Sequence, residues 1–241
     1  MRAVFLSDAH LWNDRDEGYG RLLHFFNELR GQIDLLVVAG DLFDFWFCDE
    51  NNLFPEFRPM VEALVDLKEY GADIFFIEGN HDFFLEPALA EKGIKICRDE
   101  AVLELDGWRT YVAHGDLVDN TNRRYLFLRR VLRSDLFYVL QKRIPSALLW
   151  RIAQVSSNSS RKYQKKDPKA IVSVMNAFAR RKIACGIDAV ILGHSHQPLL
   201  ERIDGGDRQG VLALLGDWID HYSYLVFEDG LFSLKFYDRK R

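Results

Sequence analysis

The sequence predicts an α/β (α+β) fold: two sheets packed face to face as a sandwich, helices outside, and a helical insertion that forms a lid. Three observations carry this expectation. The first 120 residues alternate short apolar strands with amphipathic helices. The stretch from about 120 to 182 lacks glycine and reads as helix. The remainder returns to strands separated by turns.

In order, residues 2–7 and 34–39 read as buried strands. Residues 18–30 and 55–70 read as helices, with Leu22, Leu23, Phe26 and Leu29 on one face of the first. Residues 73–78 give a third strand. Residues 101–105 and 108–113 form a hairpin around Asp106-Gly107. In the insertion, Phe127, Val131 and Leu132 recur at helical spacing, as do Leu136, Val139 and Leu140. Pro145 and Pro168 suit first helical turns, and Ser156–Ser160 reads as a polar loop or cap. Strand patterns follow at 188–192, 199–203, 211–215, 222–227 and 231–236, the last two joined by Asp229-Gly230. The organisation expected is one domain over 1–241, with the insertion at 120–182.

Composition narrows the function classes. At 48% hydrophobic and 28% charged, the 241-residue chain is a folded globular protein, not a disordered one. No apolar run approaches the roughly 18–20 residues of a membrane span. The apolar start, Met1–Leu6, is too short for a signal peptide, so cytoplasmic residence is expected. Cys48, Cys97 and Cys185 are far apart and support neither a disulfide framework nor a zinc ribbon. Net charge is −4, yet residues 120–182 hold 16 Lys or Arg against Asp135 and Asp167. That segment is +14 and the rest −18, which marks a surface for an anionic partner.

Five short segments follow apolar strands: Ser7-Asp8-Ala9-His10, Gly40-Asp41-Leu42-Phe43-Asp44, Gly79-Asn80-His81-Asp82, His114-Gly115-Asp116 and Gly193-His194-Ser195-His196. Each alone is ordinary turn chemistry. Together they hold five of the seven histidines, and loops beyond the carboxyl ends of strands converge in open α/β sheets. Two cations about 3.5–4 Å apart can activate water and stabilise a leaving oxygen, and they need a bridging carboxylate, which Asp41 can supply. A mixed oxygen and imidazole set suits Mn, Fe, Zn or Co better than Mg or Ca.

The ordered set resembles the calcineurin-like metallophosphoesterase superfamily, over nearly the whole chain. The resemblance implies that Asp8, His10 and His196 hold one metal, that Asn80, His114 and His194 hold a second, and that Asp41 bridges them. It implies that His81 contacts the scissile phosphate or protonates the leaving oxygen. Asp82 is expected to orient His81. Asp44, Asp116 and Asp119 are expected to support the site or cap turns rather than ligate, and His24 and His221 to be surface or core residues.

Within that superfamily the chain looks most like bacterial UDP-2,3-diacylglucosamine pyrophosphohydrolases of lipid A synthesis. The shared features are Ser-Asp-x-His-Leu at 7–11, Gly-Asp-Leu-Phe-Asp-x-Trp at 40–46, Gly-Asn-x-Asp-Phe at 79–83, the helical insertion, Gly-His-x-His-x-Pro at 193–198 and Leu-Gly-x-Trp at 215–218. The resemblance implies cleavage of a pyrophosphate by water, giving UMP and an acylated sugar 1-phosphate, with two divalent ions, Mn foremost. The best-known members carry Arg where this chain has His81, which is the general superfamily form.

An acyl chain must leave water, at roughly 0.8 kcal/mol per methylene. Tyr125, Phe127, Leu128, Leu132, Phe137, Tyr138, Leu140, Leu148, Leu149 and Trp150 are expected to line its groove. Asn122, Arg123, Tyr125, Asn158, Arg161, Lys162 and Lys165 are expected to contact substrate. The basic residues around them predict peripheral attachment to an anionic membrane surface, the inner face of the cytoplasmic membrane. The alternative to a lid is a plain helical cap with a solvated basic face.

Two other functions compete. A nuclease or nucleotide phosphodiesterase would use the basic segment on a phosphodiester backbone, but the segment is aliphatic rather than rich in the aromatics that stack bases. A catalytically dead scaffold would have lost ligands, and all seven are present.

Overall fold

The computed structural model describes residues 1–13, 17–47, 53–144 and 168–237. Asn158, Arg161, Lys162 and Lys165, the apolar residues 148–150, the loop at 156–160 and Cys48 lie outside these residues.

The first half runs β1 (Ala3–Leu6), α1 (Glu17–Leu29), β2 (Leu35–Ala39), a short 3₁₀ turn at Pro55–Phe57, α2 (Arg58–Glu69) and β3 (Asp73–Ile77). Next come a one-turn α3 (Glu86–Leu89), β4 (Lys95–Cys97), β5 (Glu100–Leu105) and β6 (Trp108–Ala113). The helices α4 (Arg123–Leu132), α5 (Asp135–Gln141) and α6 (Pro168–Ala184) follow. The chain closes with β7 (Ala189–Leu192), β8 (Pro198–Asp204), β9 (Gln209–Leu215), β10 (Ser223–Glu228) and β11 (Leu231–Phe236).

One sheet has the order β11-β10-β1-β2-β3-β4 and the other β5-β6-β7-β9-β8. Strands β1, β2 and β3 are parallel, and so are β6, β7 and β9. Both faces of the central strands are covered, which is why they read as unbroken apolar runs. In β1, Ala3 and Phe5 point between the sheets while Val4 and Leu6 point to α1 and α2. In β7, Ile191 points between the sheets while Val190 and Leu192 meet Met175, Ala179 and Ile183 of α6. The layers are therefore helix, sheet, sheet, helix, as expected.

Element boundaries fall within a few residues of expectation, but two elements were not anticipated. Strand β4 has three residues and α3 one turn, too short to show a period. Among the described residues, no helix is long and apolar enough to cross a membrane.

Candidate metal centre

Parallel strands put the carboxyl ends of β1, β2 and β3 side by side, and the same holds for β6 and β7 in the second sheet. The five loops meet there. Within the first sheet, Asp8 N–H donates to Gly40 O at 3.1 Å and His10 N–H to Asp41 O at 2.9 Å. Across the sheets, His194 N–H donates to Asp8 Oδ2 at 2.8 Å, and His114 Nδ1–H donates to Ala39 O at 2.9 Å.

The approach is close enough to need glycine. A Cβ on Gly79 would lie 2.0 Å from Asp41 Oδ1, and one on Gly193 would lie 2.7 Å from Asp8 Oδ2. The loops are also strained. Asp8, His10, Asp41, His194 and His196 have φ between 46° and 63°, five of the nine non-glycine residues with positive φ among the described residues. A side chain in the left-handed region costs roughly 1–2 kcal/mol. Strain gathered on candidate ligands is the pattern of a site held in shape by its surroundings.

Three imidazoles share one arrangement. His10 Nδ1–H donates to Asp44 Oδ1 at 3.2 Å, His114 Nδ1–H to Ala39 O, and His196 Nδ1 faces Asp217 Oδ2 at 3.4 Å. Each partner fixes its ring and turns Nε2 inward. There His10 Nε2 lies 3.9 Å from Asp8 Oδ1 and 3.7 Å from Asp41 Oδ2. His196 Nε2 lies 3.6 Å from Asp8 Oδ1. His114 Nε2 lies 3.4 Å from Asp41 Oδ2 and 3.1 Å from Asn80 Oδ1. The inward Nε2 atoms thus face carboxylate and amide oxygens, an arrangement that ring protons satisfy in the metal-free chain and that divalent cations would satisfy in their place.

Asp8 Oδ1 and His10 Nε2 are buried, with no hydrogen-bond partner among the described residues. The donor set therefore fits divalent metal ions. Ligand atoms of Asp8, His10 and His196 fall within 4.8 Å of one another, as do those of Asp8, Asp41 and His114. Asp41 Oδ2 thus lies within 4 Å of both His10 Nε2 and His114 Nε2. The ring of His194 packs edge-on against that of His114, with centroids 5.1 Å apart.

Charge follows the same geometry. Burial opposes protonation of His114, yet Asp41, Asp8 and Asp116 raise its pKa to about 10. Burial and the neighbouring His114 push His194 down to about 4. Asp41, although buried, is held well below the carboxylate range by His114 and His81.

Asp82 departs from expectation. It is wholly buried and does not orient His81. Oδ1 accepts from the N–H of Asp41 at 2.8 Å and of Gly79 at 3.0 Å, and Oδ2 accepts from Phe43 N–H at 3.1 Å. It ties the β2 loop to the β3 loop. The partner of His81 is Asp44, whose carbonyl lies 2.9 Å from His81 Nδ1. Burial and Asp41 drive Asp82 up to about 8 against the pull of its three backbone donors.

Other residues fall as follows. Asp44 supports His10, and Asp116 accepts from Tyr125 Oη and Arg129 Nε. Asp119 accepts from Thr121 in a local turn. Asn122 caps α4 by accepting from Tyr125 N–H, and Arg123 is exposed beside it. His24 is on the surface, and His221 Nδ1 shares Asp217 Oδ2 at 3.0 Å. Cys97 and Cys185 are free thiols.

Four contributors escaped sequence reasoning: Asp217, Glu78 and Arg133, which form a buried pair, and Arg129. Only Asp217 left a signal, as the unassigned position of Leu-Gly-x-Trp.

The sequence profile of the calcineurin-like phosphoesterase family matches residues 1–198. The UDP-2,3-diacylglucosamine hydrolase of Aeromonas salmonicida is 31% identical over 237 residues, covering 95% of this chain and 91% of the relative. The protein of that name from Stenotrophomonas maltophilia is 30% identical, covering 97% and 98%. That from Neisseria meningitidis serogroup B is also 30% identical, covering 95% and 94%. Among solved structures, an archaeal phosphodiesterase superposes with a TM-score of 0.52 at 14% identity, covering 98% of this chain and 100% of its own, a likeness of fold.

Proposed function

The chain belongs to the calcineurin-like phosphoesterase family and is a metal-dependent hydrolase, and from that premise we propose that it cleaves the pyrophosphate of UDP-2,3-diacylglucosamine to UMP and 2,3-diacylglucosamine 1-phosphate. The carrying observation is three inward Nε2 atoms facing buried oxygens at the foot of an arm whose outer face is apolar. Asp8, His10 and His196 would hold one ion, Asn80, His114 and His194 would hold the other, and Asp41 would be shared between them. Two divalent cations there would supply charge for the phosphate oxygens and acidify an attacking water. Manganese is the ion we favour, from the mixed oxygen and nitrogen donors.

The chain's own groups do the rest. Asp44 O engages His81 Nδ1 and leaves Nε2 for the phosphate or the leaving oxygen. Asp82 keeps the β2 and β3 loops in register so that Asp41 and His81 meet the same phosphate. On the arm, Phe127, Leu128, Val131, Leu136, Val139 and Leu140 are exposed, with Phe127 and Leu136 both at 70%. A patch of this kind marks a surface for an apolar partner. We take it as the lid for acyl chains. Arg123, Arg124 and Arg130 around it favour an anionic membrane surface at about 1 kcal/mol per basic residue. Asn122, Arg123 and Tyr125 stand at the base of this arm, where a headgroup would pass.

The same apolar face argues against nucleic acid as substrate. An activity panel with Mn²⁺ tests the reading, using UDP-2,3-diacylglucosamine, a cyclic nucleotide, single-stranded DNA and a chromogenic diester. The glycolipid is expected to turn over at least about 100-fold more efficiently than the others, roughly 2.7 kcal/mol of selective transition-state binding. Faster turnover of DNA would overturn it.

A further inference from the structure

Helix α4 reaches down to the metal centre through three side chains. Tyr125 Oη donates to Asp116 Oδ2 at 2.6 Å, and Arg129 Nε donates to the same oxygen at 2.9 Å. Arg133, which ends the helix, is only 4% exposed. Its Nη2 donates to Gly79 O at 2.5 Å, and its Nη1 donates to Glu78 Oε2 at 3.2 Å and to Arg98 O at 2.9 Å. The other oxygen of Glu78, itself 6% exposed, accepts from Leu85 N–H at 3.0 Å.

Gly79 immediately precedes Asn80, and Asp116 lies two residues beyond His114. The Glu78–Arg133 pair also closes the loop from Gly79 to Leu85 at both ends. Among the described residues, the side-chain hydrogen bonds of α4 and its cap reach the Asn80 and His114 loops and the turn at 98–99. None reaches the loops of Asp8, His10 or His196.

We propose that Arg133 is a positioning residue through which the insertion sets the second metal's cage, bracing Asn80 while Arg129 and Tyr125 brace the His114 loop. This rests on the assignment of Asn80, His114 and His194 to that ion. The brace acts selectively because Asn80 is neutral and a weak donor, so its affinity for an ion depends on placement. Without Arg133, the Gly79 carbonyl loses a charge-assisted donor and Glu78 is left buried without its ion-pair partner. A lipid seated on the outer face of α4 and the cation pair beneath would then share one rigid arm.

The test uses the full chain, stripped with chelator and titrated with Mn²⁺. Binding is read by equilibrium dialysis with elemental analysis and by electron paramagnetic resonance. Wild type is expected to take two ions and show the signature of a spin-coupled pair. Arg133→Gln is expected to weaken one ion about 10–100-fold, the range for groups that support ligands, and to leave the other within about threefold by the same yardstick. Its spectrum near two equivalents becomes that of isolated Mn²⁺. Arg133→Lys, able to reach Gly79 O, should recover part of the loss. In a His194→Ala background, Arg133→Gln should leave the remaining ion unchanged.

If folded Arg133→Gln binds both ions as wild type does, or weakens both equally, the inference fails. Should that variant not fold, Arg129→Gln, at the other end of the brace, carries the same expectations. A wild-type chain that never takes two ions would instead refute the metal assignment itself.

Discussion

Replacing Asp82 with alanine separates a structural tie from a catalytic one. The carboxylate is fully buried and accepts three backbone N–H groups, from Asp41, Gly79 and Phe43, at 2.8, 3.0 and 3.1 Å. A buried donor left without a partner costs about 1–3 kcal/mol, so three amount to about 3–9 kcal/mol. Part is returned, because the carboxylate is itself unfavourable there: burial and Asp41 raise its pKa to about 8. A net loss of about 2–6 kcal/mol remains, which lowers Tm by roughly 4–24 °C for a chain of this length. Asp82→Asn keeps one acceptor oxygen, able to serve two of the three donors, and should lose about 1–3 kcal/mol. His81→Ala removes no such tie. It should leave Tm within about 2 °C, keep both metals and cut kcat by about 100-fold or more. The assay is urea and thermal unfolding of all three variants beside a turnover measurement. An Asp82→Ala protein within about 1 kcal/mol of wild type would refute the tie. If that variant also altered only the pH profile of kcat, Asp82 would be the partner of His81 after all.

Further expectations concern the metals and the lid. Asp217→Asn removes the carboxylate facing His196 Nδ1 and should weaken Mn²⁺ binding about 10–100-fold by dialysis; unchanged binding would rule out that support. His114 has a folded pKa raised to about 10 from 6.5, so its proton stabilises the metal-free fold fully below about pH 6.5 and that stability is lost as pH rises through about 10. Mn²⁺ must displace this proton. Uptake at pH 8 should release about one proton per chain and tighten with rising pH, as calorimetry in two buffers would detect; binding without proton release contradicts it. Phe127→Glu with Leu136→Glu should cut turnover of the diacyl substrate at least about 10-fold and spare a chromogenic diester, since charging the exposed apolar patch removes its affinity for chains. Equal losses on both would dismiss the lid.

The sequence by itself determined the strands that carry the site and the loops at their ends. Runs such as Leu35–Ala39 and Ala189–Leu192 have no polar face to show, and Asp8, Asp41, Asn80, His114 and His194 each follow such a run closely. Local periodicity and motif order were sufficient because those signals lie within a few residues of one another. Tertiary structure decided which acceptor stands behind each imidazole. Asp44 serves both His10 and His81, Asp217 reaches His196 where the paired ends of β8 and β9 meet, and Asp82 turns to backbone amides instead of the ring beside it. Arg133 meets Glu78 at a separation of 55 residues. Such pairings depend on where packed sheets bring distant loops, and a hydrogen bond over about 3 Å leaves no period in the chain to read.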